Sequence, residues 1–135
     1  MNLNERIKDF LAGTTYAVAG ASPNRAKFGN KVLRCYLQNG RRAFGVNPLN
    51  TEVEGVPCVK TLAELPEPVH GLSIITPPQV TERLVEDAHA AGIKRIWMQP
   101  GAESDLAIER CRALGISLIS GGACVLVVLG FSENG

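Results

Sequence analysis

An α/β fold, with helices covering both faces of a mainly parallel sheet, is what this sequence predicts, and three observations predict it. Five short apolar runs stand out: "YAVAG" (16–20), "AFGVN" (43–47), "GLSIIT" (71–76), "RIWM" (95–98) and "ISLIS" (116–120). They are separated for the most part by segments with helical spacing, as βαβ crossovers require. The runs are continuously apolar instead of alternating, as strands buried on both faces must be. Finally, small and turn-forming residues follow each run, where the chain has to leave the sheet.

The elements follow in order. "NLNERIKDFLAG" places Leu3, Ile7, Phe10 and Leu11 on one face, an amphipathic helix closed by Gly13. After the first strand, "FGNKVLRCYLQNG" repeats apolar residues at Phe28, Val32, Cys35 and Tyr36 and stops at Asn39-Gly40. The second strand ends at Pro48. Residues 49–60 contain Glu54-Gly55 and Pro57, which predict turns with room for a minor strand, and "TLAELP" reads as one helical turn. "PPQVTERLVEDAHAAG" is a helix with Val80, Leu84, Val85 and Ala88 inward and prolines at its start, where a missing N–H costs least. "ESDLAIERCRALG" is a further helix with Ala107, Ile108, Cys111 and Leu114 inward. A glycine pair and a short apolar tail follow the fifth strand. The expected architecture is a Rossmann-like three-layer sandwich on a five-stranded sheet of order 3-2-1-4-5. Its 135 residues form one domain, 1–135, with a core large enough to fold alone.

Composition narrows the function. The chain is 45% hydrophobic and 20% charged with a net charge of +1, which argues against a general nucleic-acid binder. The longest apolar run, "ACVLVVLGF" (123–131), is too short to cross a bilayer, and no signal-like segment opens the chain, so a cytoplasmic protein without a membrane partner is expected. Four cysteines form no CxxC and no zinc-like spacing, which predicts reduced, packed thiols. Charge is unevenly placed. From Phe10 to Thr51 there is no Asp or Glu but six cations, while the remainder carries eight basic and thirteen acidic side chains. The first third should therefore attract polyanions. Lys31 and Arg34 read as a solvated helix face and Arg41 and Arg42 as a turn; Lys27 is the cation placed to meet a ligand.

In an open sheet of this kind, ligands bind beyond the carboxyl ends of the strands, where strand order reverses. After the first strand stand Gly20, Ala21, Ser22 and Pro23. The glycine permits a sharp turn, small neighbours let backbone N–H groups approach a phosphate, and a helix N-terminus near Phe28 and Gly29 adds partial positive charge. Such a turn also occurs in α/β proteins that bind nothing there. After the second strand stand Asn47 and Pro48, where an NAD-binding domain usually has an acid to accept from the ribose 2′-hydroxyl. Glu52 and Glu54 fall beyond the proline turn. Losing that carboxylate tolerates a ribose bearing phosphate, although Asn-Pro is also simply a good turn pair. Thr76, Pro77 and Pro78 form a rigid apolar wall after the third strand. Gln99 and Gly101 follow the fourth, and Ser120, Gly121 and Gly122 the fifth.

Together "GASPNRAKFG", "VNP", "TPP" and "WMQPGAES", in this order and spacing, resemble the stand-alone CoA-binding domain family, which is similar to the N-terminal CoA-binding domain of the succinyl-CoA synthetase α subunit. The resemblance covers nearly the whole chain. It implies phosphate contacts from Ala21, Ser22 and Lys27, and an adenosine beside Asn47 and Pro48. It further implies a nucleotide–pantetheine path along Thr76, Pro77 and Pro78, and a pantetheine end near Gln99 and Gly101. Cys124 matches a cysteine often seen near this family's C-terminus. The synthetase's phosphorylated histidine belongs to a second domain without counterpart here. His70 precedes a strand and His89 lies late in a helix, both away from the strand ends, and no metal cluster or nucleophile–base pair is apparent. The expectation is therefore a non-catalytic module that binds coenzyme A or an acyl-CoA and works as a sensor, carrier or regulator through a protein partner. Two alternatives stand beside it: an NAD(P)- or other nucleotide-binding regulator, and the CoA-binding subunit of a split acyl-CoA ligase.

Overall fold

The computed structural model describes residues 1–135. Its elements are α1 (Leu3–Leu11), β1 (Thr15–Ala19), α2 (Phe28–Gln38), β2 (Arg42–Val46), β3 (Glu52–Val53), β4 (Val56–Val59), a 3₁₀ turn (Leu62–Glu64), β5 (Gly71–Ile74), α3 (Pro78–Ala90), β6 (Arg95–Met98), α4 (Asp105–Ala113), β7 (Ser117–Ile119) and a π-helical turn (Leu126–Gly130). The five predicted strands and four predicted helices all form. The sheet, however, has seven strands, in the order β3-β4-β2-β1-β5-β6-β7.

The predicted five-strand count and its order 3-2-1-4-5 therefore need correction. The run at 71–76 does not flank the second strand; it pairs with β1 on the opposite side, Tyr16 against Gly71 through Ala19 against Ile74. The position beside β2 belongs to β4, in the segment predicted to be mostly turns, which pairs parallel to β2 through Cys58 and Val59. β3 returns antiparallel on β4 through a two-residue turn with positive φ at Glu54 (51°) and Gly55 (79°), the signature of a tight hairpin. Four residues long, containing Pro57 and only half-buried, β4 carries little sequence signal, and pairing on both sides stabilises it. Counted along the parallel strands alone, β4-β2-β1-β5-β6-β7 is a doubly wound sheet whose direction of winding reverses beside β1. The carboxyl-end rim beside β1, singled out from the sequence, thus keeps its place in the sheet.

Alternate residues of the central strands serve two cores. Ala17, Ala19, Leu72, Ile74, Ile96 and Met98 pack under α3 and α4 with Val85, Ala88, Ala107 and Cys111. Tyr16, Val18, Ala43, Trp97 and Ile119 face the other way, under α1, α2 and the C-terminal turn, with Phe10, Val32, Leu33 and Val125. The second core is aromatic: Tyr16 stacks on Phe10 (5.3 Å) and Tyr36 (4.7 Å), and Phe10 meets Trp97 edge-on. Its polar tips are all satisfied. Tyr16 donates to the Phe10 carbonyl (2.6 Å), Trp97 to that of Ala123 (2.9 Å), and the hydroxyls of Tyr36 and Ser73 lie 2.6 Å apart.

Tyr36→Phe leaves the buried Ser73 hydroxyl without its partner, and the expected loss is about 1–3 kcal/mol in urea denaturation. Adding Ser73→Ala to that variant should recover part of it, because no orphaned group then remains. A double variant no more stable than Tyr36→Phe would show that the pair contributes only by shape.

Two predicted surface arginines are placed differently. Arg34 is buried at 4% exposure, not on a solvated face, and Arg42 begins β2, paired with Glu67 at 3.0 Å, not in a turn. The apolar tail becomes the π-helical turn packed on α2, with Asn39 and Gln38 bonding the Gly130 and Ser132 carbonyls.

Candidate functional site

The loop from β1 to α2 is built by short-range hydrogen bonds on a glycine corner. Gly20 adopts φ +94°, and a Cβ there would stand 2.6 Å from the Ile75 carbonyl oxygen. A Cβ on Gly29 would collide with the Gly20 carbonyl, so the first turn of α2 sits directly against the end of β1. Between them, the Asn24 N–H donates to Ser22 Oγ (3.1 Å) and the Ala26 N–H to Asn24 Oδ1 (3.0 Å). Side chains cap α1 (Asn2) and α4 (Ser104), but none caps α2, and its first turn contains no acid. Its leading N–H groups are left for an anion.

Neighbouring elements hold this loop. Asn47 donates to the Ala21 carbonyl (2.7 Å) and accepts from the Leu49 N–H (2.8 Å), so the residue standing where an acid is usual also braces the loop after β1. Asn30, fully buried, donates to the Ser22 carbonyl (2.8 Å) and to Glu54 (3.0 Å). Arg34 in turn donates to Asn30 Oδ1 (2.7 Å) and the Arg25 carbonyl (3.1 Å). Glu54 does not stay beyond the proline turn: the β3–β4 hairpin carries it back to the loop, where Arg25 pairs with it at 3.3 Å. Its charge is thereby engaged from two sides.

Two adjoining cavities open at the carboxyl ends of β1, β2 and β5. The first, about 450 Å³, is lined by Gly20, Ala21, Ser22, Pro23, Lys27 and Phe28 among others. The second, about 440 Å³, is lined by Gly20, Asn47, Pro48, Lys60, Thr76 and Arg83, with apolar contact from Val46, Val80 and Leu84. Gly20, Asn47 and Leu49 belong to both, which makes them one cleft. Eight of the twelve residues singled out from the sequence meet here. Pro77 and Pro78 instead start α3, Gln99 is fully buried and accepts from the Val125 N–H (3.1 Å), and Gly101 is exposed; none of the four lines either cavity.

Leu49, Lys60 and Arg83 were not singled out from the sequence. Lys60 directly follows β4, so the strand-end rule would have found it had that strand been recognised. Arg83 lies one turn into α3 between the inward residues Val80 and Leu84, so a helical projection brings it to the rim of their cavity.

No nucleophile–base pair stands in the cleft. His70 bonds the Asp9 carbonyl (2.7 Å) and meets the Tyr16 ring edge-on, while His89 is exposed in the last turn of α3. Burial pushes the Cys35 thiol up to about 11 and that of Cys111 to about 12, and raises Cys58, so these thiols are protonated and poorly nucleophilic at neutral pH. No group of three His, Cys, Asp or Glu gathers to hold a metal, and no helix is long and apolar enough to cross a membrane.

A doubly wound α/β domain with a basic, glycine-cornered cleft at its switch point is a nucleotide-binding domain in architecture. Residues 14–130 match the CoA binding domain family, and the chain belongs to that family. It is 32% identical to the ADP-forming acetate–CoA ligase I of Archaeoglobus fulgidus over 76% of this chain, spanning 16% of the ligase's length. Among solved structures it is similar to a conserved hypothetical protein from Pyrococcus furiosus (35% identity, TM-score 0.81), covering 86% of this chain and 99% of the other. It is also similar to the dinucleotide-forming acetyl-coenzyme A synthetase 1 of Ca. Korarchaeum cryptofilum in its apo form (25% identity, TM-score 0.70), covering 84% of this chain and 26% of that one. The resemblance read from the four motifs is thus borne out, as is kinship with the succinyl-CoA synthetase-like ligases.

Proposed function

We propose that this protein binds coenzyme A or an acyl-CoA in the cleft beside Gly20 without itself transforming it, as a sensor, carrier or regulatory module acting through a protein partner. The observation that carries this reading is the meeting, at Gly20, of an uncapped helix N-terminus flanked by Lys27 with a second, largely apolar cavity. The diphosphate is assigned to the Ala21, Ser22 and Lys27 side. Adenosine is assigned to the Asn47–Pro48 side, with the nucleotide–pantetheine path passing Thr76; Pro77, Pro78, Gln99 and Gly101, which line neither cavity, are left out of the assignment. Unpaired cysteines fit a reducing, cytoplasmic setting.

Isothermal titration of the full chain against coenzyme A, acetyl-CoA, NAD and NADP tests this assignment. The CoA compounds should bind most tightly. NAD binding more tightly than CoA would favour the nucleotide-regulator alternative.

A second reading, the CoA-binding subunit of a split acyl-CoA ligase, draws on the acetate–CoA ligase relative, of which this chain spans only 16%. It expects CoA-dependent nucleotide hydrolysis on mixing with a subunit that supplies a phosphorylatable histidine. Silence in that assay leaves the module reading standing.

A further inference from the structure

Most of this protein's cations are already engaged. Arg25, Lys31, Arg34, Arg42, Arg95, Arg110 and Arg112 form ion pairs, while Arg6 and Arg41 bond backbone carbonyls. Of the fourteen Lys and Arg side chains, that leaves Lys8, Lys27, Lys60, Arg83 and Lys94 with neither an ion pair nor a hydrogen bond. Three of these five line the cleft, and they are not clustered. Lys27 stands in the cavity of the β1–α2 loop, whereas Lys60 and Arg83 stand in the cavity beyond Gly20 and Asn47.

The two cavities thus present two separate stations of unneutralised positive charge, with a largely apolar wall of Val46, Pro48, Val80 and Leu84 in the second. Lys60 comes from the segment after β4 and Arg83 from α3, so two different elements supply the second station. The one acid lining that cavity is Asp87, a helical turn after Arg83 and not paired with it.

We infer that Lys60 and Arg83 hold a monophosphate on the ligand's ribose, on the far side of that sugar from the diphosphate, so that the 3′-phosphate of coenzyme A is a specificity determinant of this cleft. The inference rests on the proposed CoA reading. Its physical basis is the spacing of charge in the ligand: a diphosphate on the 5′ carbon and a separate phosphate on the ring, matching two cationic stations. NAD carries only the first group and leaves Lys60 and Arg83 without a counter-charge. Arginine suits such a site because its planar fork can bond phosphate in two places, and lysine adds a mobile point charge. Asp87 opposes the phosphate and sets an upper limit on the selectivity.

Affinities of the full chain for coenzyme A and 3′-dephospho-CoA, with NADP and NAD as a second pair, provide the test. The wild type should prefer CoA over its dephospho form by about tenfold or more, the contribution of hydrogen bonds to a charged group. Lys60→Ala and Arg83→Ala should each reduce that ratio and the double variant should bring it near one, while dephospho-CoA affinity changes little in all three. Asp87→Asn should raise the ratio. Both cations are exposed, and circular dichroism of the variants confirms that folding is intact. Equal wild-type affinity for CoA and dephospho-CoA, or a ratio unmoved in the double variant, overturns the inference but leaves CoA binding in place. Binding of neither compound overturns the CoA reading itself. A preference for NADP over NAD that exceeds the CoA preference would assign the station to a 2′-phosphate and overturn the 3′ assignment.

Discussion

Lys27→Ala weakens coenzyme A binding by about tenfold, the expected result of removing one charge-assisted contact to phosphate. Lys27 occupies the N-cap position of α2, lines the loop cavity and has no ion pair to give up, so its charge is available to the ligand. The same substitution should flatten the dependence of affinity on ionic strength, because a screened electrostatic contribution has been removed. Lys94→Ala is the matched control: it too removes an unengaged cation, but one just before β6, at the opposite rim of the sheet. Titration at two salt concentrations reads both effects. Lys27→Ala behaving like Lys94→Ala would place the phosphates elsewhere.

Arg34→Leu should lower stability by about 2–3 kcal/mol and weaken CoA binding as well, although Arg34 lines neither cavity. Its guanidinium is almost fully buried and holds four acceptors: the Asn30 side chain, the Arg25 carbonyl, the Glu133 carbonyl at 3.5 Å and, at 3.7 Å, the carboxylate of Glu133, with the Phe131 ring 5.0 Å away. Removing it leaves the Asn30 oxygen buried and unpartnered. Asn30 in turn supports the Ser22 carbonyl, so the β1–α2 loop loses its brace. Arg34→Lys should rescue little, since a single ammonium cannot reproduce a planar fork that bonds in several directions. Urea denaturation reads the stability, and titration under conditions where the variant is folded reads the affinity. An unchanged denaturation midpoint in Arg34→Leu would falsify this account of the loop.

The elements were legible where local chemistry decides them. The run "YAVA", the glycine that must turn at positive φ and the helical spacing from Phe28 all lie within a few residues of one another, and together they locate Gly20 through Lys27 as a loop facing the sheet's rim. The hairpin was harder. Glu54-Gly55 was read as a turn, which it is, but the flanking strands are two and four residues long and one contains Pro57, so nothing local marks them as strands. The sequence leaves room for a minor strand at 49–60 but does not place it in the sheet. Without that place the strand order shifts, Lys60 stays hidden, and Glu54 and the β1–α2 loop look far apart. Arg34 illustrates the same limit. A cation at helical spacing reads as solvated, because burial of a guanidinium depends on acceptors brought from Asn30, Arg25 and the C-terminal Glu133, residues that meet only in the folded chain.

The sequence by itself determined the α/β class, the strand ends at which the cleft opens, the glycine corner at Gly20 and the family kinship carried by four short motifs. Each of these is written in contiguous residues, through hydrophobic period, backbone freedom or spacing. Only the tertiary structure decided the seven-strand order, the burial of Arg34, the bracing of the loop by Asn47 and Asn30, and the convergence of Lys60 and Arg83 on one cavity. Those depend on contacts between residues far apart in the chain, whose free energy is set by which partners the packed core brings within reach, and no local pattern encodes that.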